Sequence, residues 1–171
     1  MKRITLLRHA KSSWDSPNAD DFDRPLNDRG KRDAPDMGQR LKARGVRPSL
    51  ILSSTANRAI TTARTIAREI GYPIEFIQPQ QELYLACPDK ILDILIREGT
   101  QFNDIMIVGH NPGLTELANN ISSARIDNLP TCGAFAIDAE IADWADLLNS
   151  PGTLVWFDYP KNKAVRTEDS S

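Results

Sequence analysis

Short apolar segments alternate with amphipathic segments along most of this chain, and that alternation limits the possible folds more than any other feature. The apolar segments are RITLL (3–7), SLILSS (49–54), DIMIVG (104–109), GAFAIDA (133–139) and TLVWFDY (153–159), with IEFI (74–77) as a candidate edge strand. The first three are short and continuous, as expected for strands that are covered on both faces. Strands separated by helical segments predict an α/β fold in which helices flank a mostly parallel sheet.

Five segments have the apolar spacing of amphipathic helices. They are 28–45, with Ala34, Met37 and Leu41 facing inward; 59–70, with Ala59, Ala63, Ile66, Ala67 and Ile70; the segment around Ile91, Leu92 and Leu95; NPGLTELANNI (111–121); and EIADWADLLNSPG (140–152), with Ile141, Trp144 and Leu148. Gly71 and Pro73 are expected to end the second of these helices. Asn111 is expected to cap the fourth, with Pro112 at its first helical position.

The length and charge of the chain limit the classes of protein to which it can belong. A chain of 171 residues suits one domain, which we predict to span 1–159, followed by a polar tail at 160–171. The net charge of −2 indicates no general attraction to nucleic acid or acidic membranes. No apolar run has the length of a signal segment or membrane span, and Cys87 and Cys132 lack metal-ligand spacing. These features favour a cytoplasmic protein that binds neither nucleic acid nor membrane.

The two histidines of the chain directly follow two of the predicted parallel strands. His9 follows the first strand and is preceded by Arg8, and His110 follows DIMIVG. Arg58 lies just beyond the strand at 49–54, near the start of a predicted helix. Parallel strands place their carboxyl ends at one edge of the sheet, where ligands bind, and helix N-termini there favour anions. These four positions therefore predict a phosphate-sized anion pocket.

Two other classes of phosphate chemistry are not supported by the sequence. A cysteine-dependent phosphatase needs Cys-x5-Arg, whereas Asp93 and Asp138 stand at that distance from Cys87 and Cys132. The GxxxxGK[ST] pattern of P-loop nucleotide hydrolysis is absent. The sequence also contains no HExxH or other cluster of metal ligands.

Several motifs resemble those of the histidine phosphatase superfamily, whose members have the phosphoglycerate-mutase-like fold. LLRHAKSSW (6–14) resembles the RHG-type signature, with Ala10 in place of Gly as in SixA-like phosphohistidine phosphatases. SSTANRAITTA (53–63) resembles the second motif, which contains Arg58, and VGHNPGLTEL (108–117) the third, which contains His110. DRPLNDRG (23–30) and LPTCGA (129–134) also resemble SixA-like sequences.

This resemblance implies a fold and a reaction. The fold is a three-layer α/β sandwich with helices on both faces of a mostly parallel sheet that has one antiparallel strand. The reaction is phosphoryl hydrolysis without metal or other cofactor, with His9 as the nucleophile that becomes phosphorylated. Arg8, Arg58 and His110 would hold the phosphoryl oxygens. The substrate implied is phosphohistidine on a protein, in signal transduction.

The resemblance also suggests further residues. Glu82 in QELYLACPD is the best positional match to the superfamily's proton donor, and Asp23 is a second candidate, expected instead to pair with an arginine. Ser12, Arg24 and Thr131 are candidates for contacts with the substrate, although Ser12 is expected to cap a turn and Arg24 can equally form a structural ion pair. Trp14 is expected to be a packing residue.

Two other functions remain open at this stage: a small-molecule phosphomonoesterase of the same superfamily, and a phosphoprotein-binding module without turnover. The partner is accordingly a phosphorylated protein or a small phosphate ester. Only 51 residues separate Arg58 from His110, which leaves little room for a capping insertion over the site. An uncovered site suits a phosphoryl group carried on a protein, or broad hydrolysis with low specificity. The sequence leaves the oligomeric state open.

Overall fold

A mixed β-sheet forms the centre of the structure, a computed structural model that describes residues 1–15 and 20–162. Its strands are β1 (Lys2–Arg8), β2 (Leu50–Ser54), β3 (Gln78–Gln80), β4 (Asp104–Gly109), β5 (Ala134–Ala139) and β6 (Thr153–Asp158). They are arranged in the order β3-β2-β4-β1-β5-β6. The strands β1 to β4 pair in parallel, whereas β5 is antiparallel to both of its neighbours. The predicted sheet with one antiparallel strand is confirmed.

Helices cover both faces of this sheet, as predicted for a three-layer sandwich. They are α1 (Asp28–Ala43), α2 (Asn57–Ile70), α3 (Pro88–Glu98) and α4 (Gly113–Ile121). Alternate residues of one strand serve the two layers: Ile51 packs with the core that contains α1 and α2, while Leu52 packs with the core that contains α3 and α4. Both side chains are fully buried, so β2 is apolar on both faces, as a central parallel strand must be.

A side chain fixes the start of one helix, and a glycine fixes the end of another. The Asn27 side chain accepts a hydrogen bond of 2.8 Å from the Gly30 backbone and so caps α1, which continues through Pro35. Gly71 adopts a left-handed φ of 81° and ends α2 as predicted. The helix α4 begins at Gly113, so Asn111 does not occupy the predicted cap position; its side-chain oxygen instead accepts bonds from the backbone and hydroxyl of Thr115.

The predicted strand at 74–77 is wrong. Ile74–Phe76 forms a 3₁₀ turn, in which the backbone N–H groups of Phe76 and Ile77 donate to the carbonyls of Pro73 and Ile74. These N–H groups bond within the turn, whereas in a strand they would have been available to pair with β2. The edge strand β3 therefore begins only at Gln78.

The predicted long helix at 140–152 is also wrong. Only a five-residue 3₁₀ helix forms there, Trp144–Leu148, with a capping box between Asp143 and Asp146. Asp side chains that bond to nearby backbone compete with continued helix formation. Trp144 is buried as expected, but Leu148 is 52% exposed.

The carboxyl end of the described chain packs against α1. Arg40 donates hydrogen bonds of 2.9 Å to the carbonyls of Tyr159 and Pro160, at the predicted boundary between domain and tail. Of the predicted tail, residues 163–171 lie outside the described residues. Among the residues described, no helix has the length and apolar character needed to cross a membrane.

Candidate active site

The carboxyl ends of β1, β2 and β4 open onto a cavity of about 340 Å³. It is lined by Arg8, His9, Lys11, Ser12, Trp14, Asp21, Arg24, Arg58, Leu85, His110, Asn111 and Thr131. The two histidines come from the loops after β1 and β4, which are neighbouring strands, and their ring centroids lie 5.2 Å apart. The convergence expected of parallel strand ends therefore occurs.

The His9 ring is fixed in position and in tautomer. Its backbone N–H donates to the Gly109 carbonyl at 3.1 Å, and its carbonyl accepts from the Cys132 N–H at 2.9 Å. The ring Nδ1 lies 2.7 Å from the Ala10 carbonyl oxygen. Because that oxygen can only accept, Nδ1 carries the proton and Nε2 keeps its lone pair. Nε2 lies 3.4 Å from Nε of Arg58.

The environment of His9 favours the neutral ring. Burial is the main cause that lowers its pKa, to about 4, and the positive charges of Arg58, Arg8 and Arg24 lower it further. The hydrogen bond to the Ala10 carbonyl acts in the opposite direction and raises the pKa. The side chain is thus an uncharged imidazole at neutral pH. A neutral imidazole with an unprotonated nitrogen is a competent nucleophile.

Arg58 is held rigidly against His9 by its other nitrogens. Nη1 donates to the Asp21 carbonyl at 2.6 Å, and Nη2 to the Asp21 carboxylate at 3.0 Å. The Thr62 hydroxyl donates to the Arg58 carbonyl at 2.7 Å and accepts from the Ala10 N–H at 3.0 Å. This hydroxyl ties the first turn of α2 to the loop after β1, which fixes the two residues relative to each other.

Asp21 is a site residue that the sequence reasoning missed. Its carboxylate also pairs with Arg24 at 3.0 Å and accepts a short hydrogen bond from the Tyr84 hydroxyl. That bond lowers its pKa to about 2, together with the bonds from the two arginines and against desolvation. The arginine pairing expected of Asp23 belongs to Asp21. The signal that could have found it is the i,i+3 spacing of Asp21 and Arg24, which suits a single 3₁₀ turn.

His110 is the second buried imidazole. Its Nε2 lies 2.8 Å from the Ser54 hydroxyl at the end of β2, and its Nδ1 has no hydrogen-bond partner among the described residues. Burial lowers its pKa to about 3, helped by His9 and Arg58. His110 is therefore neutral in the ligand-free site and adds no positive charge to the cavity.

Arg8 is the last residue of β1 and directly precedes His9. Its Nη1 donates to the Leu129 carbonyl at 3.1 Å, and its buried Nε lacks a partner among the described residues. Burial and the charge of Arg58 lower its pKa, but a guanidinium stays protonated in proteins. The guanidinium groups of Arg8, Arg24 and Arg58 and the neutral imidazoles of His9 and His110 thus surround a space that suits an anion.

Within residues 1–15 and 20–162, no group of three or more His, Cys, Asp or Glu side chains is arranged to hold a metal ion.

Known proteins resemble this chain in sequence and in fold. Residues 4–86 match the model of the histidine phosphatase superfamily (branch 1). A solved structure from Agrobacterium tumefaciens, assigned as the phosphohistidine phosphatase SixA, is 31% identical with a TM-score of 0.74, covering 93% of this chain and 99% of the other. The chain belongs to the histidine phosphatase superfamily.

Within that superfamily the chain is SixA-like. The structure of the protein histidine phosphatase SixA complexed with tungstate matches it with a TM-score of 0.78 at 20% identity, over 94% of this chain and 99% of the other, which shows the shared fold. An uncharacterized chloroplastic protein of Arabidopsis thaliana is 35% identical over 161 residues, covering 88% of this chain and 73% of the relative.

Most of the residues that sequence reasoning assigned to this histidine phosphatase site lie together. Those at the cavity are Arg8, His9, Ser12, Arg24, Arg58, His110 and Thr131. Ser12 accepts a hydrogen bond of 2.7 Å from Nη1 of Arg24, so it holds that arginine in the ligand-free site. Arg24 both lines the cavity and forms the ion pair to Asp21, which joins its two expected roles.

Glu82 does not line the cavity. Its carboxylate lies 3.0 Å from Nζ of Lys90 and 3.4 Å from Nη1 of Arg97, and hydrogen bonds from these two side chains lower its pKa. A proton donor needs a raised pKa and access to the leaving group. The geometry does not favour Glu82 in that role, and the carboxylate that does reach the cavity, Asp21, is ionised.

Trp14 is not the packing residue that was expected. It is 75% exposed, and its ring centroid lies 3.5 Å from Cζ of Arg24. Lys11, Asn111 and Leu85 also line the cavity without having been assigned to it. Lys11 and Asn111 lie beside motif residues in the sequence, which could have indicated that they line the cavity. No sequence feature indicates this for Leu85.

Proposed function

We propose that this histidine phosphatase hydrolyses phosphohistidine carried on a protein, through a covalent intermediate on Nε2 of His9. The observation that supports this most directly is the hydrogen bond from Nδ1–H of His9 to the Ala10 carbonyl at 2.7 Å. It leaves Nε2 unprotonated, with a lone pair that accepts a long hydrogen bond of 3.4 Å from Nε of Arg58, beside which a phosphoryl group would be bound.

The proposed reaction has two displacements at phosphorus. In the first, the Nε2 lone pair of His9 forms a P–N bond while the P–N bond of the substrate breaks, and that electron pair leaves with the substrate's imidazole. The imidazole departs neutral because its other ring nitrogen carries a proton. In the second, water attacks the phosphoryl group on His9, the P–Nε2 bond breaks, and both water hydrogens end on the released phosphate. His9 retains the proton on Nδ1 throughout.

The positive side chains would offset the charge of the three equatorial phosphoryl oxygens. Phosphoryl transfer depends mainly on positioning and electrostatic stabilisation. Arg8 and Arg58 flank His9, and Arg24 is held to the same cavity by Ser12 and Asp21. His110 would add a ring nitrogen as donor, since a bound dianion favours the protonated ring and so opposes the burial and the neighbouring positive charges that keep it neutral.

The lack of a placed acid at the cavity supports a P–N rather than a P–O substrate. An imidazole that already carries a ring proton leaves without assistance, whereas an alkoxide demands a proton donor. Among the described residues, the carboxylate at the cavity is Asp21, with a pKa of about 2. It cannot donate a proton at neutral pH.

The open cavity supports a protein-borne phosphoryl group. The 51 residues between Arg58 and His110 form the rest of α2, the 3₁₀ turn, β3, a second short turn, α3 and β4. Of these residues, Leu85 is the one that reaches the cavity lining. No insertion covers the site in this stretch, so a bulky carrier can approach.

The experiment that tests this function is a ranking of kcat/KM over four substrates: phosphohistidine on a protein domain, free phosphohistidine, phosphoserine and a sugar phosphate. We expect the phosphohistidine protein to exceed phosphoserine and the sugar phosphate by at least about 100-fold, and His9→Asn to abolish turnover of all four. A preference for the sugar phosphate would instead indicate a small-molecule phosphomonoesterase. Tight binding of the phosphoprotein without turnover would indicate a binding module.

The same assay tests the absence of an acid and of a metal. We expect Glu82→Gln to lower kcat/KM by less than about 3-fold. We expect the same of the control Glu98→Gln, because both carboxylates form ion pairs with Arg97 outside the cavity. A loss of more than about 100-fold for Glu82→Gln on both P–N and aryl P–O substrates would assign it the acid role. Activity is expected to persist in excess chelator.

A further inference from the structure

Two large apolar side chains are exposed at the mouth of a cavity that is otherwise lined by charged and polar residues. Among the described residues, the exposed large apolar side chains are Met1, Trp14, Phe76, Leu85, Leu148 and Val155. Trp14, at 75% exposed, and Leu85, at 57%, are the two that line the cavity containing His9. Single exposed apolar residues are common on proteins, but two of them on one cationic cavity are not explained by chance exposure alone.

Trp14 is held in place from inside the cavity. The Arg24 guanidinium lies against the indole, with Cζ 3.5 Å from the ring centroid, and Arg24 itself is only 7% exposed. Arg24 is fixed in turn by its 2.7 Å bond to Ser12 and its ion pair to Asp21. The indole is therefore attached to the anion-binding wall while most of its surface remains open to a ligand.

Leu85 is held in an unfavourable backbone conformation. Its φ is 50°, in the left-handed region that L side chains other than Asn and Asp rarely adopt. A leucine with 57% of its surface exposed gains little burial to offset this strain. Strained residues of this kind concentrate at ligand clamps.

We infer that Trp14 and Leu85 form a clamp for the leaving group, selecting a flat ring attached to the phosphoryl group that is bound at His9. The inference rests on the proposed function, for which the flat ring is the imidazole of phosphohistidine. The charged inner wall contacts the phosphoryl oxygens, and the apolar mouth contacts the group that departs. A flat ring offers an aromatic face to the indole, which an alkyl or amino leaving group does not.

The test uses four small substrates that separate ring shape from bond type. Free phosphohistidine and p-nitrophenyl phosphate carry planar rings on P–N and P–O bonds, whereas phosphoramidate and phosphoserine carry none. Each variant is compared with the wild type on the same substrate, so that intrinsic leaving-group reactivity cancels. We expect Trp14→Ala to reduce kcat/KM for both ring substrates about 10-fold more than for the other two, mainly through KM. Trp14→Phe should restore most of this selectivity.

Leu85 provides an independent arm. Leu85→Gly removes the side chain and relieves the left-handed strain, so we expect the thermal midpoint to stay level or rise while selectivity for ring substrates falls about 3-fold. The matched controls are Phe76→Ala and Leu148→Ala, which remove an exposed aromatic and an exposed leucine away from the cavity. Both should leave the selectivity unchanged.

The outcomes separate the clamp from the proposed function. An equal loss on all four substrates for Trp14→Ala would mean that the indole only holds Arg24, and no loss on any would mean that it touches no substrate; either result overturns the clamp. If the wild type does not prefer phosphohistidine on a protein but the variants still lose selectivity for rings, the proposed substrate fails and the clamp stands.

Discussion

At the scale of single residues, the chemistry of the site follows from where protons are held. The bond from Nδ1 of His9 to the Ala10 carbonyl fixes one proton, and burial beside three arginines keeps a second proton off Nε2. His110 is kept neutral by the same surroundings, with its pKa lowered to about 3. Two neutral imidazoles in a cationic cavity are thus a direct consequence of desolvation and like charge.

The first prediction concerns these two rings, which are the only histidines of the chain. Because both pKa values are lowered from the ordinary 6.5, to about 4 and about 3, each ring gains its proton only as the pH falls below about 5. NMR titration of the ring resonances should show no protonation between pH 7.5 and 5.5. In urea the same resonances should titrate near 6.5, and a folded-state midpoint near 6.5 for His9 would contradict the account.

The second prediction concerns Asp21, which holds Arg58 and Arg24 and also places a negative charge in the cavity. In Asp21→Asn we expect kcat to fall about 10-fold, because misplaced guanidinium groups stabilise the transition state less well. KM for a phosphate ester should not rise, because the cavity has lost a charge that repels the dianion. Steady-state kinetics with Asp23→Asn as the neighbouring control tests this; an unchanged kcat with a raised KM is the contrary result.

At the scale of elements, the loop that carries His9 packs tightly against the first turn of α1. The Asn27 N–H donates to the Lys11 carbonyl at 3.0 Å, and a Cβ at Gly30 would overlap that same oxygen. Only glycine permits so close an approach of helix and loop. The helix start therefore supports the segment that follows His9.

The third prediction follows from this contact. Gly30→Ala should lower the free energy of unfolding by about 1–3 kcal/mol, because helix and loop must separate to accept the methyl group. Chemical denaturation measures the loss. Gly109→Ala is the control, since a Cβ there meets nothing closer than Leu114 at 3.8 Å; equal stability of the two variants would contradict the account.

The sequence predicted the elements where apolar periodicity was strong and failed where short-range hydrogen bonds decide. The strand at 104–109 and the helix with Ala34, Met37 and Leu41 were found because packing on both sheet faces imposes the pattern. The turn at 74–76 and the short 3₁₀ helix at 144–148 were missed because apolar composition cannot distinguish them from a strand and a long helix.

At the scale of the whole molecule, a buried ion pair joins the first α-helix to the last strand of the sheet. Nη1 of Arg40 in α1 lies 3.1 Å from the carboxylate of Asp158 at the end of β6, and the two side chains are 4% and 0% exposed. Arg44 approaches the same carboxylate at 3.4 Å. Removing one partner of such a pair leaves the other buried charge poorly compensated.

The fourth prediction is that Arg40→Met lowers the free energy of unfolding by about 3–5 kcal/mol. Thermal and chemical denaturation should agree on the loss. As a control, Arg29→Met removes one member of the more exposed Arg29–Asp33 pair in the same helix and should change stability little. A similar effect of the two variants would show that the buried pair contributes nothing specific.

The convergence of the site was predictable from the sequence, but its lining was not. Arg8, His9, Arg58 and His110 follow strands or begin helices, so parallel topology alone brings them together. Trp14 and Leu85 reach the cavity from irregular loops, and Asp21 from a short 3₁₀ turn, and the apolar periodicity of the sequence does not encode the path of any of these segments. Glu82 was assigned by resemblance in position, and the ion pairs that hold it on the surface could be seen only in three dimensions.

The central claim is that His9 is the nucleophile, and trapping of the phosphoenzyme tests it most directly. Brief incubation with labelled phosphohistidine protein, followed by quenching, should give wild-type protein with an acid-labile, base-stable label at His9. His9→Ala should carry none, while His110→Asn should retain the nucleophile. Label of the same stability that persists in His9→Ala would contradict the account.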